Sequence, residues 1–287
     1  MLTLAVLVLC FAGLASLQLR TPAFNSAPSR MGVRSTVKPV SAGIALAVIA
    51  LAPIRNAQAE FKVYSPYVVE GELELETRGL VSLDRNPEKD GNKNFIYEVG
   101  YSPTANWHTA ALLEQTQEHL PGENHDLRLE AVAWENIFQL TEPGQYWADL
   151  GLYLEYEKGL LKSDAHQLEI KLLIEKTIGR FTFTANPIFK KAFGTADNHS
   201  VNFEYAWAAR YRWRPELEPG FEAFGDIGSI QAVGGVDSQV HQIGPDIRGA
   251  FRAGTGKILY NVGYLFGVSE AAPAGAIKFE LEYEIYF

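Results

Sequence analysis

The feature that most constrains this chain is a long-range alternation of apolar and polar residues. In the last segment the apolar positions are Ile277, Phe279, Leu281, Tyr283, Ile285 and Phe287, and the charged positions between them are Lys278, Glu280, Glu282 and Glu284. Successive side chains of a β-strand point to opposite faces, so one face of this strand is wholly apolar and the other almost wholly charged. A soluble β-sandwich would instead leave a mixed polar outer face. The pattern therefore predicts a strand with lipid on one side and a polar interior on the other.

Twelve segments of this kind follow one another along the chain. They cover residues 70–82, 93–102, 107–117, 125–136, 146–157, 166–177, 180–187, 201–214, 220–230, 241–252, 257–268 and 276–287. A tilted strand needs about 9–11 residues to cross a bilayer, and most of these segments are at least that long. Strands of globular domains are mostly about 5–6 residues long. The seventh segment is short, and Pro245 interrupts the tenth. The predicted fold is all-β: an antiparallel up-and-down transmembrane β-barrel of twelve strands within residues 60–287.

The connections between these segments alternate between two kinds. The short kind comprises residues 102–105, 141–144, 178–179, 215–219 and 254–256, and the longer, more polar kind includes residues 84–93, 119–125 and 190–200. Short turns at one end and longer loops at the other are typical of outer-membrane barrels. We therefore expect the short turns to face the periplasm and the longer loops to face outward.

The first 59 residues have the features of a targeting segment. They contain no Asp or Glu, and within them Met31 opens a short basic region with Arg34 and Lys38. An apolar core at 41–54 and the small-x-small sequence at 57–59 follow, which predicts a signal peptide over 31–59, cleaved before Glu60. In the alternative interpretation, residues 1–17 are a first signal and the acid-free stretch after them is a transit peptide. That compound address would direct the barrel to the outer membrane of an organelle or plastid.

Charge and cysteine content exclude several kinds of partner. After residue 59 the chain keeps all 34 acidic residues but only 20 of its 25 basic ones, which argues against a nucleic-acid partner, since phosphate binding needs a basic surface. Cys10 is the only cysteine, so residues 60–287 can form no disulfide or zinc–thiolate site. The sequence Gly254-Thr255-Gly256-Lys257 has the ending of a phosphate-binding loop, but Phe251 stands where the leading glycine is required. No cofactor is predicted.

The C-terminus resembles the assembly signal of Gram-negative outer-membrane barrels, which ends in Phe with hydrophobic residues at every second position before it. The matching residues are Phe279, Leu281, Tyr283, Ile285 and Phe287. The segments 264–267 and 282–284 are also similar to those of porin-like proteobacterial outer-membrane proteins. This resemblance implies a location in the bacterial outer membrane, with its lipid, the barrel-assembly machinery and periplasmic chaperones as partners. It brings no catalytic residues, and it leaves open whether the barrel forms a homo-oligomer.

Closing the barrel predicts a charged lumen. If the last strand pairs with the first, Glu280, Glu282 and Glu284 lie beside Glu72, Glu74 and Glu76, and Arg210, Arg212 and Arg214 lie across the lumen near the same rim. Like charges directly opposite each other destabilise a sheet, so the acidic cluster requires cations, protonation or basic partners. Two facing charged walls would line a pore. In the alternative, these groups pair with one another or with Lys257 and Lys278 and fill the lumen. The number of strands does not decide between the two, because twelve lies between the filled eight-stranded barrels and the open porins.

Three functions remain open at this point. A channel that passes small polar or charged solutes is the first, a non-conducting anchor or adhesin the second, and an outer-membrane hydrolase the third. The hydrolase rests on Asn198, His199 and Ser200, but neighbours in a loop rarely achieve the contact that a nucleophile and its base need. His119 and His125 flank an acidic loop whose spacing matches no defined metal site. We therefore predict no enzyme activity, no catalytic residue and no metal site.

Overall fold

The fold is described from a computed structural model, over residues 61–118, 126–160, 165–194 and 200–287. The predicted targeting segment at 1–59 lies outside these residues, as do Asn198, His199, His119 and His125. Among the described residues, no helix is long and apolar enough to cross a lipid bilayer.

Twelve strands in the described part of the chain form a closed antiparallel barrel. They are β1 (Glu72–Leu83), β2 (Lys93–Thr104), β3 (Trp107–Gln117), β4 (Arg128–Gln139), β5 (Asp149–Gly159), β6 (His166–Ile178), β7 (Phe181–Phe193), β8 (Asn202–Tyr211), β9 (Glu218–Ser229), β10 (Val240–Ala253), β11 (Gly256–Gly267) and β12 (Gly275–Tyr286). Each strand pairs with its neighbours in sequence, and β12 closes the ring on β1. The predicted fold is confirmed.

Pro187 of β7 and Pro245 of β10 each lie where the ladder to one neighbouring strand is interrupted. β7 continues beyond the predicted end at residue 187 to Phe193, and β10 runs without a break through Pro245. The β6–β7 ladder skips residues 186–187, and the β10–β11 ladder skips residues 244–245. Because proline cannot donate a ladder hydrogen bond, it is tolerated where one neighbouring strand makes no such bond.

The two ends of the barrel differ in their connections. At the turn end, where β1 begins and β12 ends, tight turns join β2 to β3, β6 to β7 and β10 to β11. Gly179 and Gly254 occupy these turns with φ values of 62° and 62°, in the left-handed region that favours glycine. The opposite end, the loop end, carries the longer connections, as predicted. Residues 140–148 are the exception, a longer connection at the turn end.

The outer face of the barrel is apolar across most of its strands. Exposed aliphatic and aromatic side chains include Tyr97, Val99, Leu168, Ile170, Phe183, Phe189, Ile247, Val262, Ile277 and Leu281. The charged residues that alternate with them point inward, as Glu169, Lys171 and Glu282 do, and are buried. A continuous apolar surface of this extent is typical of a membrane contact.

The inside of the barrel contains a segment that belongs to no strand. Residues 61–70, which we call the luminal segment, run through the lumen and turn into β1 at Gly71. Gly71 has a φ of 78°, and a Cβ atom there would lie 2.8 Å from the carbonyl oxygen of Phe287. A glycine is therefore needed where the segment meets the closing edge of the barrel.

Candidate functional site

The luminal segment is held by its backbone at Tyr64, which is 2% exposed. The Tyr64 amide donates to Asn186 Oδ1 at 2.8 Å, and Asn186 Nδ2 donates to the Tyr64 carbonyl at 3.0 Å. Asn186 lies on β7 at the interruption caused by Pro187. Its side chain thus gives the segment the paired donor and acceptor that a neighbouring strand would provide.

The Tyr64 side chain extends this attachment across the lumen. Its hydroxyl donates to Glu135 Oε2 at 3.2 Å and accepts from Arg78 Nη2 at 3.1 Å. Its ring lies 4.8 Å from the Tyr153 ring, and Lys171 Nζ lies 4.2 Å from the Tyr64 ring and 3.9 Å from the Tyr153 ring. A cation over an aromatic face is attracted by the ring quadrupole, most strongly when water is excluded. One tyrosine therefore contacts residues of β1, β4, β5 and β6.

Nearer the turn end, the segment contacts β4 and β5. The Val68 amide donates to Gln139 Oε1 at 2.9 Å, and the Tyr67 hydroxyl donates to Asp149 Oδ2 at 2.6 Å. Pro66 packs against Gly151, where a Cβ atom would lie 2.9 Å from Pro66 Cβ. Gly151 therefore leaves the space that Pro66 occupies.

The β1–β12 seam brings the two predicted rows of glutamates together. Glu74 lies opposite Glu284 and Glu76 opposite Glu282. Lys62 of the luminal segment reaches this cluster, with its Nζ 2.6 Å from Glu76 Oε2 and 3.6 Å from Glu74 Oε1. The required cations therefore come partly from the luminal segment, which the sequence pattern did not indicate.

Two further cations meet the acidic residues of this side of the lumen. Arg78 pairs with Glu76, and its Nη1 lies 2.7 Å from Glu98 Oε2. At the rim Lys257 Nζ lies 2.6 Å from Glu284 Oε2. Lys257 thus takes the neutralising position that the filled-lumen alternative predicts.

The three predicted arginines are not arranged as one wall. Arg210 points into the lumen, 3.6 Å from Glu175 and 3.8 Å from Glu218. Arg212 and Arg214 follow the end of β8 and are exposed in the turn before β9. The glutamates and Arg210 therefore face the lumen, and Arg212 and Arg214 lie at its edge. Whether any of them lines a conducting path stays a prediction.

A second buried ion cluster lies on the β9–β12 side of the lumen. Lys278 pairs with Glu222, at exposures of 1% and 0%, instead of joining the glutamates of the seam. Arg248 Nη2 lies 3.0 Å from Glu222 Oε1. Next to this cluster, at the turn end, is a cavity of about 220 Å³ whose charged lining residues are Arg210, Glu218, Arg248 and Glu280.

An apolar cluster borders these charged groups inside the barrel. Leu80, Ile188, Phe224 and Leu265 are its large strand residues, each at most 1% exposed. Val63 of the luminal segment packs among them, and the Phe61 ring lies 5.9 Å from the Phe224 ring. Strand side chains and the luminal segment together fill this part of the lumen.

The predicted hydrolase residues are only partly described. Ser200 Oγ donates to Asn202 Oδ1 at 3.4 Å, whereas Asn198 and His199 lie outside the described residues. The hydrolase interpretation therefore stays a prediction.

Comparison with known proteins identifies the fold. No protein-family model and no curated protein matches the sequence. An outer-membrane channel from Pseudomonas putida F1 superposes with a TM-score of 0.50 at 11% identity, covering 79% of this chain and 100% of that chain. For the outer-membrane protein Omp33 of Acinetobacter baumannii the TM-score is 0.38 at 11% identity, covering 76% and 99% of the two chains. Together with the closed ring of strands and its apolar outer face, the similarity to the Pseudomonas channel shows that this chain has the fold of the bacterial outer-membrane β-barrels.

Proposed function

We propose that this protein is a channel of the bacterial outer membrane whose lumen is closed at rest by its own luminal segment. Small polar or charged solutes pass when that segment leaves its binding site. The observation that carries the proposal is that residues 61–70 occupy the lumen without belonging to any strand. A closure of this kind can be removed without breaking the hydrogen-bonded ring that spans the membrane.

The attachments of the segment suit reversible binding. They include the Asn186 pair at Tyr64, the bond from Val68 to Gln139 and the ion pairs of Lys62. A net contribution of about 0.5–1.5 kcal/mol is typical of each neutral hydrogen bond. The segment is joined to β1 through Gly71, whose positive φ marks a turn there. Release therefore requires the loss of a limited set of polar and apolar contacts while the barrel stays intact.

The lumen left by the segment would favour cations. When Lys62 withdraws, Glu74 and Glu76 lose an ion pair each, and the acidic rows of the seam face the open path. Replacing Glu72, Glu282 and Glu284 by Gln should lower the preference for cations in a salt gradient. Replacing Lys257, the partner of Glu284, by Gln should raise it, so the two changes have opposite signs.

A reversible covalent lock tests whether the segment is the closure. Pro66→Cys and Gly151→Cys place two thiols where the Cβ atoms are in near contact, and a small shift of the segment gives the about 3.5–4.5 Å of a disulfide. The chain has no cysteine beyond Cys10, and Cys10→Ser removes that one. The full-length protein, isolated from outer membranes, is recorded in planar bilayers.

We expect brief openings in the parent protein, none in the oxidised pair, and their return on reduction. The single Pro66→Cys variant serves as the control and should behave as the parent with or without oxidant, because Gly151 still leaves space for the segment. Equal conductance with the lock closed would show that solutes pass elsewhere, and this would contradict the proposed gate.

A non-conducting structural barrel is the second candidate. It is supported by the pair of Lys278 with Glu222 and by the apolar residues Leu80, Phe224 and Leu265, which all belong to strands and fill the lumen without the segment. Insertion into bilayers without openings, in both the parent and the reduced pair, would favour this candidate and contradict the channel.

A further inference from the structure

Three buried ligand groups converge on one point of the lumen. Glu98 of β2, His108 of β3 and Glu135 of β4 are 3%, 5% and 0% exposed. Each offers a ligand atom, and these atoms lie within 4.8 Å of one another. Three neighbouring strands thus present two carboxylates and an imidazole toward one point inside the barrel.

In each of these residues one polar atom is bound by the protein and another is left without a hydrogen-bond partner. Arg78 Nη1 holds Glu98 Oε2 at 2.7 Å, and the hydroxyls of Tyr64 and Tyr153 donate to Glu135 Oε2 at 3.2 and 3.1 Å. Among the described residues, no hydrogen-bond partner reaches Glu98 Oε1, Glu135 Oε1 or His108 Nε2. A buried polar atom without a hydrogen bond is costly, and all three residues contribute such an atom. His108 Nε2 also lies 3.8 Å from Glu74 Oε2, which is an ion pair only when the imidazole is protonated.

The imidazole is oriented in the way that metal-binding histidines are. His108 Nδ1 lies 3.0 Å from Ser102 Oγ, and in the tautomer in which Nδ1 donates to that hydroxyl, Nε2 presents its lone pair. Metal-ligating histidines are usually fixed by such a bond from the other ring nitrogen. A Cβ atom at Gly100 would lie 2.5 Å from Nε2, so the glycine on β2 leaves the space in which the ring lies.

The surrounding charge favours a divalent cation. Lys62 and Arg78 together pair with three carboxylates, those of Glu74, Glu76 and Glu98, and Glu135 is buried beside them. Glu72, Glu74 and His108 form an overlapping group of ligand atoms, and Glu72 groups in turn with Glu282 and Glu284 at the rim. Carboxylates therefore lie at the rim of the turn end and also beside the three-residue group.

We infer that Glu98, His108 and Glu135 form a binding site for a divalent transition-metal ion such as Zn²⁺. Carboxylate and imidazole ligands suit this class of ion, and zinc sites with three protein ligands keep a further position for water. With bonds of about 2.0–2.2 Å, tetrahedral ligand atoms are roughly 3.3–3.6 Å apart, so binding draws the side chains together by small rotations. The site does not depend on whether the barrel conducts.

The inference is tested by titrating ZnCl₂ into the full-length, tag-free protein in detergent and following the heat of binding. We expect one tight site per chain in the parent protein. In His108→Asn and in Glu135→Gln the affinity of this site should be at least 100-fold weaker. Ser102→Ala removes only the bond that orients the ring and should weaken binding by roughly 10–100-fold. The matched control is His241→Asn, because both ring nitrogens of His241 are already bonded, to Tyr205 and Gln239; it should bind like the parent.

Folding of each variant is checked by its altered gel migration before and after boiling. If His108→Asn does not fold, Gly100→Ala displaces the ring while keeping every ligand, and it should also weaken binding. Two results would overturn the inference. One is a folded parent protein that binds no Zn²⁺; the other is undiminished tight binding in the folded ligand variants or in Gly100→Ala.

Discussion

Replacing Asn186 by Leu, which has the same branching at Cγ, should release the luminal segment. The substitution removes both hydrogen bonds to the Tyr64 backbone, at 2.8 and 3.0 Å. At about 0.5–1.5 kcal/mol for each bond, the loss is about 1–3 kcal/mol. Since 1.4 kcal/mol is a factor of ten, the equilibrium between bound and released segment shifts by about 5- to 140-fold.

The assay is the open probability of single barrels in planar bilayers, which should rise by that factor while it remains far from saturation. Thr184→Val is the matched control. It lies on the same strand and loses one buried bond, from Thr184 Oγ1 to Glu175 Oε2 at 2.9 Å, that does not involve the segment. If the open probability is unchanged in Asn186→Leu, or rises equally in both variants, Asn186 does not hold the gate.

Three further predictions concern the barrel and its loops. Leu281→Arg places a charge on the lipid-facing side of β12, where Leu281 is 49% exposed. We expect the free energy of unfolding, measured with urea in lipid vesicles, to fall by about 2–4 kcal/mol, and by much less in Leu281→Ala. Lys278→Met leaves Glu222 buried without one of its cations. In the same assay it should lower the free energy of unfolding by about 3–5 kcal/mol, and adding Glu222→Leu should restore much of that loss. The pKa of Asp84 lies below its ordinary value of 3.8 because the Asn86 amide donates to its carboxylate. The stabilisation by this contact is therefore fully present above pH 3.8, and it is lost as the pH falls through the lower pKa of the folded protein. Carbon NMR titration of Asp84 checks this; a midpoint at or above 3.8 would contradict it.

The alternation of the strands predicts most of the barrel, because its period of two specifies which side chains face the lipid. It also predicts the seam, since Glu74 and Glu284 can meet only if the first strand pairs with the last. It does not predict the luminal segment, because Tyr64 and its neighbours follow no strand period and are buried through contacts with sequence-remote residues such as Asn186. Lys62 lies ten residues before Glu72, and nothing in the pattern indicates that it folds back onto the glutamates of β1.

The grouping of Glu98, His108 and Glu135 was not predicted for a related reason. Glu98, His108 and Glu135 lie on three strands, and their spacing along the chain matches no ligand motif. Only the register of neighbouring strands, with Gly100 opposite Ala110 and Ala110 opposite Glu135, brings them within reach of one another. Arg212 and Arg214 show the opposite case, since the alternation extends beyond the residue where β8 ends and the chain turns.

The position of the luminal segment also constrains the order in which the protein can fold. Its contacts with Glu135 and Asn186 are separated by 71 and 122 residues along the chain, and the seam joins the first strand to the last. Contacts between distant residues form slowly, because loop entropy is lost before they are made. The segment must therefore either bind to the curved sheet before β12 arrives, so that the ring closes around it, or thread into a finished barrel from the turn end. In both routes the slow event is the enclosure of ten residues by the rest of the chain, and the pairing of neighbouring strands precedes it.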